Sequence, residues 1–306
     1  MRMPSPFPFP QRRSYGYGGY GSQSLFGRTR RGGGGFKARL IIALVFIGFA
    51  LISYYGKPGD LNEVTGETER VALTEEADEI ALGLQAAGEM VGMHGGPSRD
   101  IASQQRVNTI GFRLLDQLDE RLAAEGRRNP YRDAFQFTLL ADPQTVNAFA
   151  LPGGPVFITE GLYRRLETDG RIAGVLGHEI GHVLSRHSNK QMARQGLFQG
   201  IAGAIGVLGG DISSAQMGQM VGAVLSTRYG RDAELESDRW GVRLMADAGY
   251  DPRAMIEVMR VLDEAGGGGG QPEFLSTHPK PANRVEYIEK VIAEQFPEGV
   301  PPGLRE

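Results

Sequence analysis

The run His178-Glu179-Ile180-Gly181-His182 sets two imidazoles four residues apart with a carboxylate between them. On a helix, residues four apart lie one above the other on the same face, so both rings can reach one metal ion. The glutamate then points at the fourth coordination position, where water is held. That arrangement predicts a zinc hydrolase site with Glu179 as general base. Ile172, Val175, Leu176, Ile180, Val183 and Leu184 recur at helical spacing and predict one mostly buried helix from Arg171 to about Lys190. A buried histidine without a partner is costly, whereas a metal ligand is satisfied.

A catalytic zinc takes three protein ligands and keeps one position open. His187 lies nine residues after His178, but the H-E-x-x-H-x-x-G-x-x-H arrangement needs glycine at 185 and histidine at 188, and both are serine. His187 therefore reads as a packing residue or a partner behind a ligand. The stronger source is the segment from Arg231 to Trp240, where Glu234 and Asp238 are four apart and share one face of a predicted helix. One carboxylate can bind the metal while the other holds the N–H of a ligand histidine. In isolation such a run reads as a solvated acidic face; the H-E-x-x-H upstream reverses that preference. Glu236 falls off the shared face and is expected to be exposed.

H-E-x-x-H followed by R-x-x-E-x-x-[A/S]-D resembles the gluzincin metallopeptidases of the CAAX prenyl protease and heat-shock protease HtpX type, a group that includes the periplasmic beta-barrel assembly-enhancing proteases. Asn147-Ala148-Phe149-Ala150-Leu151-Pro152-Gly153-Gly154 is similar to the family's N-A-F-x-x-P-G-G block. Gly249-Tyr250-Asp251-Pro252 matches its G-Y-D-P turn, and Thr277-His278-Pro279 with Arg284 matches its T-H-P-x-x-x-x-R block. The matches span residues 75 to 290 in the family's order. The resemblance implies a mainly α fold with a small β-sheet (α+β, zincin-like), Glu234 as third zinc ligand, Asp238 behind the ligands, and one Zn2+ per chain. Two departures stand out: Pro155 replaces a larger residue after the double glycine, and Ser237 replaces an alanine.

The chain has 306 residues and no cysteine, which excludes disulfides and thiolate ligation and leaves His and carboxylate ligands. Its net charge of −3 hides an asymmetry. Residues 1–39 carry eight Lys or Arg and no Asp or Glu, leaving 25 basic against 36 acidic residues in the remainder. A mildly acidic body argues against nucleic acid as a partner.

Residues 1–39 are rich in Gly, Arg, Pro, Tyr and Phe and predict a disordered basic tail. Residues 40–56 predict an uncleaved signal anchor, since Leu40 to Tyr55 is apolar and uncharged and no A-x-A-like site follows. The positive charges precede it, which predicts a single-pass inner-membrane protein, N-terminus cytoplasmic and catalytic domain periplasmic. Residues 57–72 read as a linker, 73–296 as the peptidase domain and 297–306 as a tail. Within the domain, helices are predicted over Leu73 to Val91 and Ile101 to Ala124, with His94 exposed and idle between them. Strands are predicted over Phe135 to Leu140 and Pro155 to Thr159. Val156, Phe157 and Ile158 are expected to form an edge strand that binds substrate backbone. The apolar runs Leu197 to Gly210 and Met217 to Leu225 predict a buried or membrane-grazing helical hairpin, because one full crossing separates His178 from Glu234. Asp251 and Pro252 predict a helix start, Gly266 to Gly270 a loop, and no helical repeat follows Ile292.

The expected reaction is peptide-bond hydrolysis by a membrane-anchored zinc metalloendopeptidase. Zinc rests on His178, His182 and Glu234, and Glu179 shuttles the proton. His278, Tyr229 and Arg231 are candidate oxyanion donors. His278 has two other readings: a ligand in the open zinc position that keeps the enzyme latent, or a packing residue at a helix start. By resemblance the substrates are unfolded or misassembled envelope proteins, with lipid contacted through the anchor. The alternative is a chaperone-like protein that uses the zinc domain to hold clients. An intramembrane prenyl-protein protease is disfavoured by the single clear spanning segment.

Overall fold

The computed structural model describes residues 34–209, 229–266, 272–278 and 283–306. The basic tail up to residue 33, the run Met217 to Leu225, Pro279 and nearly all of the loop Gly266 to Gly270 lie outside the described residues. The chain order is α1 (Gly34–Tyr55), β1 (Asp60–Leu61), β2 (Thr68–Glu69), α2 (Glu76–Met93), α3 (Ile101–Ala124), a 3-10 turn (Arg132–Ala134), β3 (Gln136–Leu140), β4 (Ala148–Ala150) and β5 (Pro155–Thr159). Helices α4 (Glu160–Leu166), α5 (Asp169–Leu184), α6 (His187–Gly209), α7 (Arg231–Asp247), α8 (Ala254–Gly266), α9 (Glu273–Thr277) and α10 (Arg284–Gln295) follow. The fold is mainly α with a small sheet, behind an apolar N-terminal helix of which Phe36–Tyr55 is long and apolar enough to cross a membrane.

The core forms where three periodic faces meet. Val107, Ile110, Leu114, Leu115, Leu118 and Leu122 line one side of α3. They pack against Phe137, Leu139, Val156 and Ile158 of the sheet and against Ile172, Leu176 and Ile180 of α5. Truncating one of these to alanine costs about 2–5 kcal/mol. Helix α3 occupies its predicted span, with Asp100 accepting from the Ser103 N–H to satisfy a first-turn donor. Helix α2 begins three residues later than predicted, at Glu76, because the preceding backbone is bonded elsewhere: Asn189 Oδ1 accepts from the Ala72 and Leu73 N–H groups at 2.8 and 2.9 Å.

The sheet order is β3-β5-β4, with β5 parallel to β3 and antiparallel to β4. This corrects the edge-strand reading of Val156, Phe157 and Ile158. They are buried in the central strand, with neighbours on both sides. The edge nearer α5 is β4. The β4–β5 turn is tight: Pro152 is followed by Gly153 at φ 74°, as a type II turn requires. A Cβ at Gly153 would lie 2.5 Å from Ile80 Cα, so α2 rests directly on this turn.

The single helix predicted from Arg171 to Lys190 is two helices. The break falls at Arg186, which takes φ 51°. Its guanidinium is buried and donates to Glu79 at 3.1 Å, to the Leu73 carbonyl at 2.7 Å and to Asp60. Those charge-assisted bonds outweigh continuing the helix. His94 is also not idle: it is buried, with Nδ1 3.0 Å from Asp142 Oδ2 and its ring 5.6 Å from Phe149. The C-terminal segment is pinned to the domain, since the Asp251 N–H donates to the Arg305 carbonyl at 2.9 Å and the Arg305 N–H to the Gly249 carbonyl at 3.0 Å.

Candidate metal centre

Helices α5 and α7 approach closely enough for short side chains to converge between them. The cause is a row of small residues on α5. A Cβ at Gly177 would stand 3.1 Å from Gly241 Cα, and one at Gly181 would stand 3.0 Å from Ser237 Cα. Thr168 caps α5, its hydroxyl accepting from the Arg171 N–H. His178 and His182 then present Nε2 atoms 3.1 Å apart. Glu234 comes across from the first turn of α7, its carboxylate oxygens 3.5 Å from each of these nitrogens. His278, just past α9, sets Nδ1 3.1 Å from Glu234 Oε1 and 3.4 Å from His178 Nε2.

The donor set fits a divalent cation. Four ligands at zinc distances in a tetrahedron stand roughly 3.3 Å apart. One donor atom from each of His178, His182, Glu234 and His278 lies within 4.8 Å of the others, and all four residues are buried. Both carboxylate oxygens of Glu179 are buried and accept no hydrogen bond among the described residues, Oε1 lying 3.6 Å from His278 Nε2. Glu234 Oε2 accepts none either and makes an ion-pair contact with Arg284 Nη1 at 3.3 Å. Buried carboxylate oxygens in that state are expensive unless a cation or its water meets them.

Behind the ligands, each ring is held at its second nitrogen. Asp238 Oδ1 lies 2.9 Å from His178 Nδ1, and Arg284 donates to both oxygens of Asp238 at 2.7 Å. His187 Nδ1 lies 2.9 Å from His182 Nδ1, and its Nε2 lies 3.1 Å from Glu236 Oε2. Glu236 is thus partly buried and bonded rather than exposed, because His187 and Lys190 in the first turn of α6 reach its carboxylate. Arg231 is corrected: it is exposed and donates to Asn283 at 2.7 Å, touching none of the four donors. The Tyr229 ring lies 4.3 Å from that of His182 at 33°, and its hydroxyl is bonded to Ser188 Oγ at 2.9 Å. The ring of Phe274 stacks on His278 at 4.5 Å.

Charge is apportioned unevenly across the site. Burial raises the Glu179 carboxyl above its ordinary value, suiting it to hold a proton. Burial pushes the same way at Asp238, but Arg284 overrides it and keeps that carboxyl low. Glu234 is also held low: burial opposes ionisation, and contact with His178 and His278 outweighs it. His182 is driven well below its usual value by burial and by the neighbouring rings, so it is neutral and available as a ligand.

Arg284 is the residue whose role the sequence reading missed, although it had been noted within a motif. The signal was present: Arg284 heads the same helix face as the buried Ile288, Val291 and Ile292. A charged residue on an apolar stripe needs a buried partner.

The family model Peptidase family M48 matches residues 112–292, more than half of the chain. The Beta-barrel assembly-enhancing protease of Escherichia coli K12 is 31% identical over 191 residues, which are 59% of this chain and 37% of that protein. The Mitochondrial metalloendopeptidase OMA1 of Arabidopsis thaliana is 34% identical over 152 residues, 49% of this chain and 30% of that protein. Its counterpart in Schizosaccharomyces pombe is 33% identical over 164 residues, 52% and 47% of the two chains. The chain thus spans less than half the length of these relatives. A buried H-E-x-x-H helix meeting a carboxylate from a second helix, within a segment that the family model covers whole, places this chain in Peptidase family M48.

Proposed function

We propose that the chain is a membrane-anchored zinc metalloendopeptidase that cleaves unfolded or misassembled proteins of the cell envelope. The observation that carries this reading is the convergence of His178, His182 and Glu234 on one buried point, with the buried Glu179 carboxylate beside it accepting no hydrogen bond among the described residues. Nε2 of each histidine and the Glu234 carboxylate would hold one zinc ion. When bound, zinc acidifies water and polarises the scissile carbonyl. Glu179, buried and raised in proton affinity, takes the proton from the attacking water and returns it to the leaving amine. Asp238 fixes the His178 ring, and Arg284 fixes Asp238.

Substrate backbone would add to β4 rather than to the central strand. The Leu151 N–H donates to the Pro155 carbonyl and the Thr159 N–H to that of Asn147, at 2.8 and 3.0 Å. By antiparallel alternation, the peptide groups of Ala148 and Ala150 therefore face away from β5, toward an added strand. His278 stands in the position an attacking water would need, with Tyr229 and Phe274 against the neighbouring rings, which supports a latent form opened when substrate displaces His278. The apolar span Phe36–Tyr55 supports a single membrane anchor, and the eight basic residues before and within its start support a cytoplasmic N-terminus with a periplasmic domain. The envelope substrate class rests on resemblance to the beta-barrel assembly-enhancing proteases alone.

The test is purified full chain in detergent, wild type beside Glu179→Gln, with metal content and casein cleavage measured on both. The variant is expected to keep its metal and to lose about 10²- to 10⁴-fold in cleavage. Equal cleavage by both proteins would remove Glu179-dependent hydrolysis by this chain, and a metal-loaded wild type that leaves casein uncut would favour a client-holding reading.

A further inference from the structure

A second site lies outside the metal centre, where α1 and α6 leave the domain together. The two helices run antiparallel and meet through small residues: Ala43, Ala50 and Ala204 are buried. A Cβ at Gly200 would stand 2.6 Å from Ala50 Cβ. Close approach of this kind, without large apolar side chains between the backbones, is how helices pack in lipid. The remaining face of α1 is apolar and open, with Ile41, Val45, Phe49 and Ile52 62–72% exposed.

Where α1 ends, the helices part around a cavity of about 530 Å³. Its walls are apolar and glycine-lined, with Phe49, Met192, Leu197 and Gly196 among them, and its rim is polar, with Lys57 and Arg70. A Cβ at Gly196 would meet nothing within 4 Å among the described residues. The rim acids are already engaged: Asp60 with Arg186, and Glu69 with Lys190 at 3.0 Å. Lys57 and Arg70 have no carboxylate partner among the described residues. Arg70 instead lies over the Tyr55 ring, 5.3 Å from its centroid. Tyr54 and Tyr55 close the apolar span, so this rim stands at the level where aromatic side chains meet lipid headgroups.

We propose that this cleft is a binding site for an anionic phospholipid, with its phosphate on Lys57 and Arg70 and an acyl chain against Phe49 and Leu197. A cavity apolar at one end and cationic at the other, placed at headgroup depth, matches that ligand in shape and charge. A soluble anion would leave the apolar walls wet, and a zwitterionic lipid would bring a cation to the two basic side chains. The site rests on the membrane anchor proposed above. Because α6 begins at His187, beside His182, the lipid would sit against the same helix that braces the metal ligands.

The experiment uses the full chain recovered from membranes and placed in phosphatidylcholine nanodiscs with and without phosphatidylglycerol, with retained lipid counted by native mass spectrometry. Wild type is expected to retain phosphatidylglycerol in preference to phosphatidylcholine. Replacing both Lys57 and Arg70 by alanine is expected to lower that preference roughly 10- to 30-fold, at about one surface cation's attraction each. Gly196→Leu fills the cavity while favouring the helix, and is expected to lower retention of both lipids with the charges intact. The basic tail is common to all three proteins and cancels. Equal retention of the two lipids by wild type, unchanged retention in both variants, or release by glycerol phosphate as readily as by lipid would overturn the site. A chain recovered in the soluble fraction without detergent would overturn the anchor and the site together.

Discussion

Two helix pairs in this molecule use the same device for opposite ends. In α5–α7, Gly177 faces Gly241 and Gly181 faces Ser237, and the close approach lets Glu234 and Asp238 reach the two histidines. In α1–α6, Gly200 faces Ala50, and a Cβ there would meet only the Ala50 methyl group and Cα among the described residues. The first pair buries charge that must be matched group by group. The second leaves its apolar faces outward and needs only surfaces that fit. Small residues on a helix therefore do not announce their purpose; what flanks them does. Beside Gly177 and Gly181 stand His178 and His182, whereas around Gly196, Gly200 and Gly203 stand Leu197, Phe198 and Ile201.

The largest expected break of this comparison is Asp238→Ala. It leaves the buried Arg284 with Glu234, at 3.3 Å, as its remaining carboxylate contact among the described residues and frees the His178 ring. A loss of about 3–5 kcal/mol of stability is therefore expected in denaturant unfolding, with weaker metal binding. An unchanged midpoint would mean that the polar interior is not what holds α10 to α7. The same substitution logic has no counterpart in α1–α6, where no ion pair joins the two helices among the described residues.

Much of this was legible in the sequence because the determinants are local. The H-E-x-x-H spacing and the i, i+4 pair Glu234 and Asp238 each need only helical geometry to become one face, and the convergence of the two faces followed from ligand count. What was not legible depended on contacts between distant segments. Helix α5 ends at Leu184 because Arg186 is claimed by Glu79, Asp60 and Leu73, more than a hundred residues upstream. Strand β5 is central because β4 pairs with its second edge, and β4 is only three residues long, too short for a periodic signal. Glu236 and His94 acquired partners, His187 and Asp142, that neither spacing nor composition points to.

A paired substitution sharpens the contrast. Gly177→Leu forces α7 away from α5 and is expected to lower metal affinity by about 10- to 100-fold, read by competition with a chelator. Gly200→Leu, placed against Ala50, is expected to leave metal affinity unchanged while loosening α6 from α1, read as faster proteolysis of α6 in detergent. If both lowered metal affinity equally, the two pairs would be one mechanical unit.

The smallest expected effect concerns acid stability. Burial opposes ionisation of Asp142, but hydrogen bonds from Thr145 and His94 hold its carboxyl at about 2, below the ordinary 3.8. A carboxyl lowered by folding contributes stability that is complete above its unfolded value and is lost as pH falls through the folded one. Stability is therefore expected to fall between pH 3.8 and about 2, and Asp142→Asn to flatten that limb slightly. An unaltered acid limb in the variant would show that the His94–Asp142 contact does not survive in solution.

The most direct measurement is metal stoichiometry together with cleavage on the purified full chain, wild type against Glu234→Ala. One zinc per chain in the wild type, and loss of both metal and cleavage in the variant, is the predicted result. Wild-type cleavage from a sample free of divalent metal, or a Glu234→Ala chain that keeps its full zinc content, would contradict it.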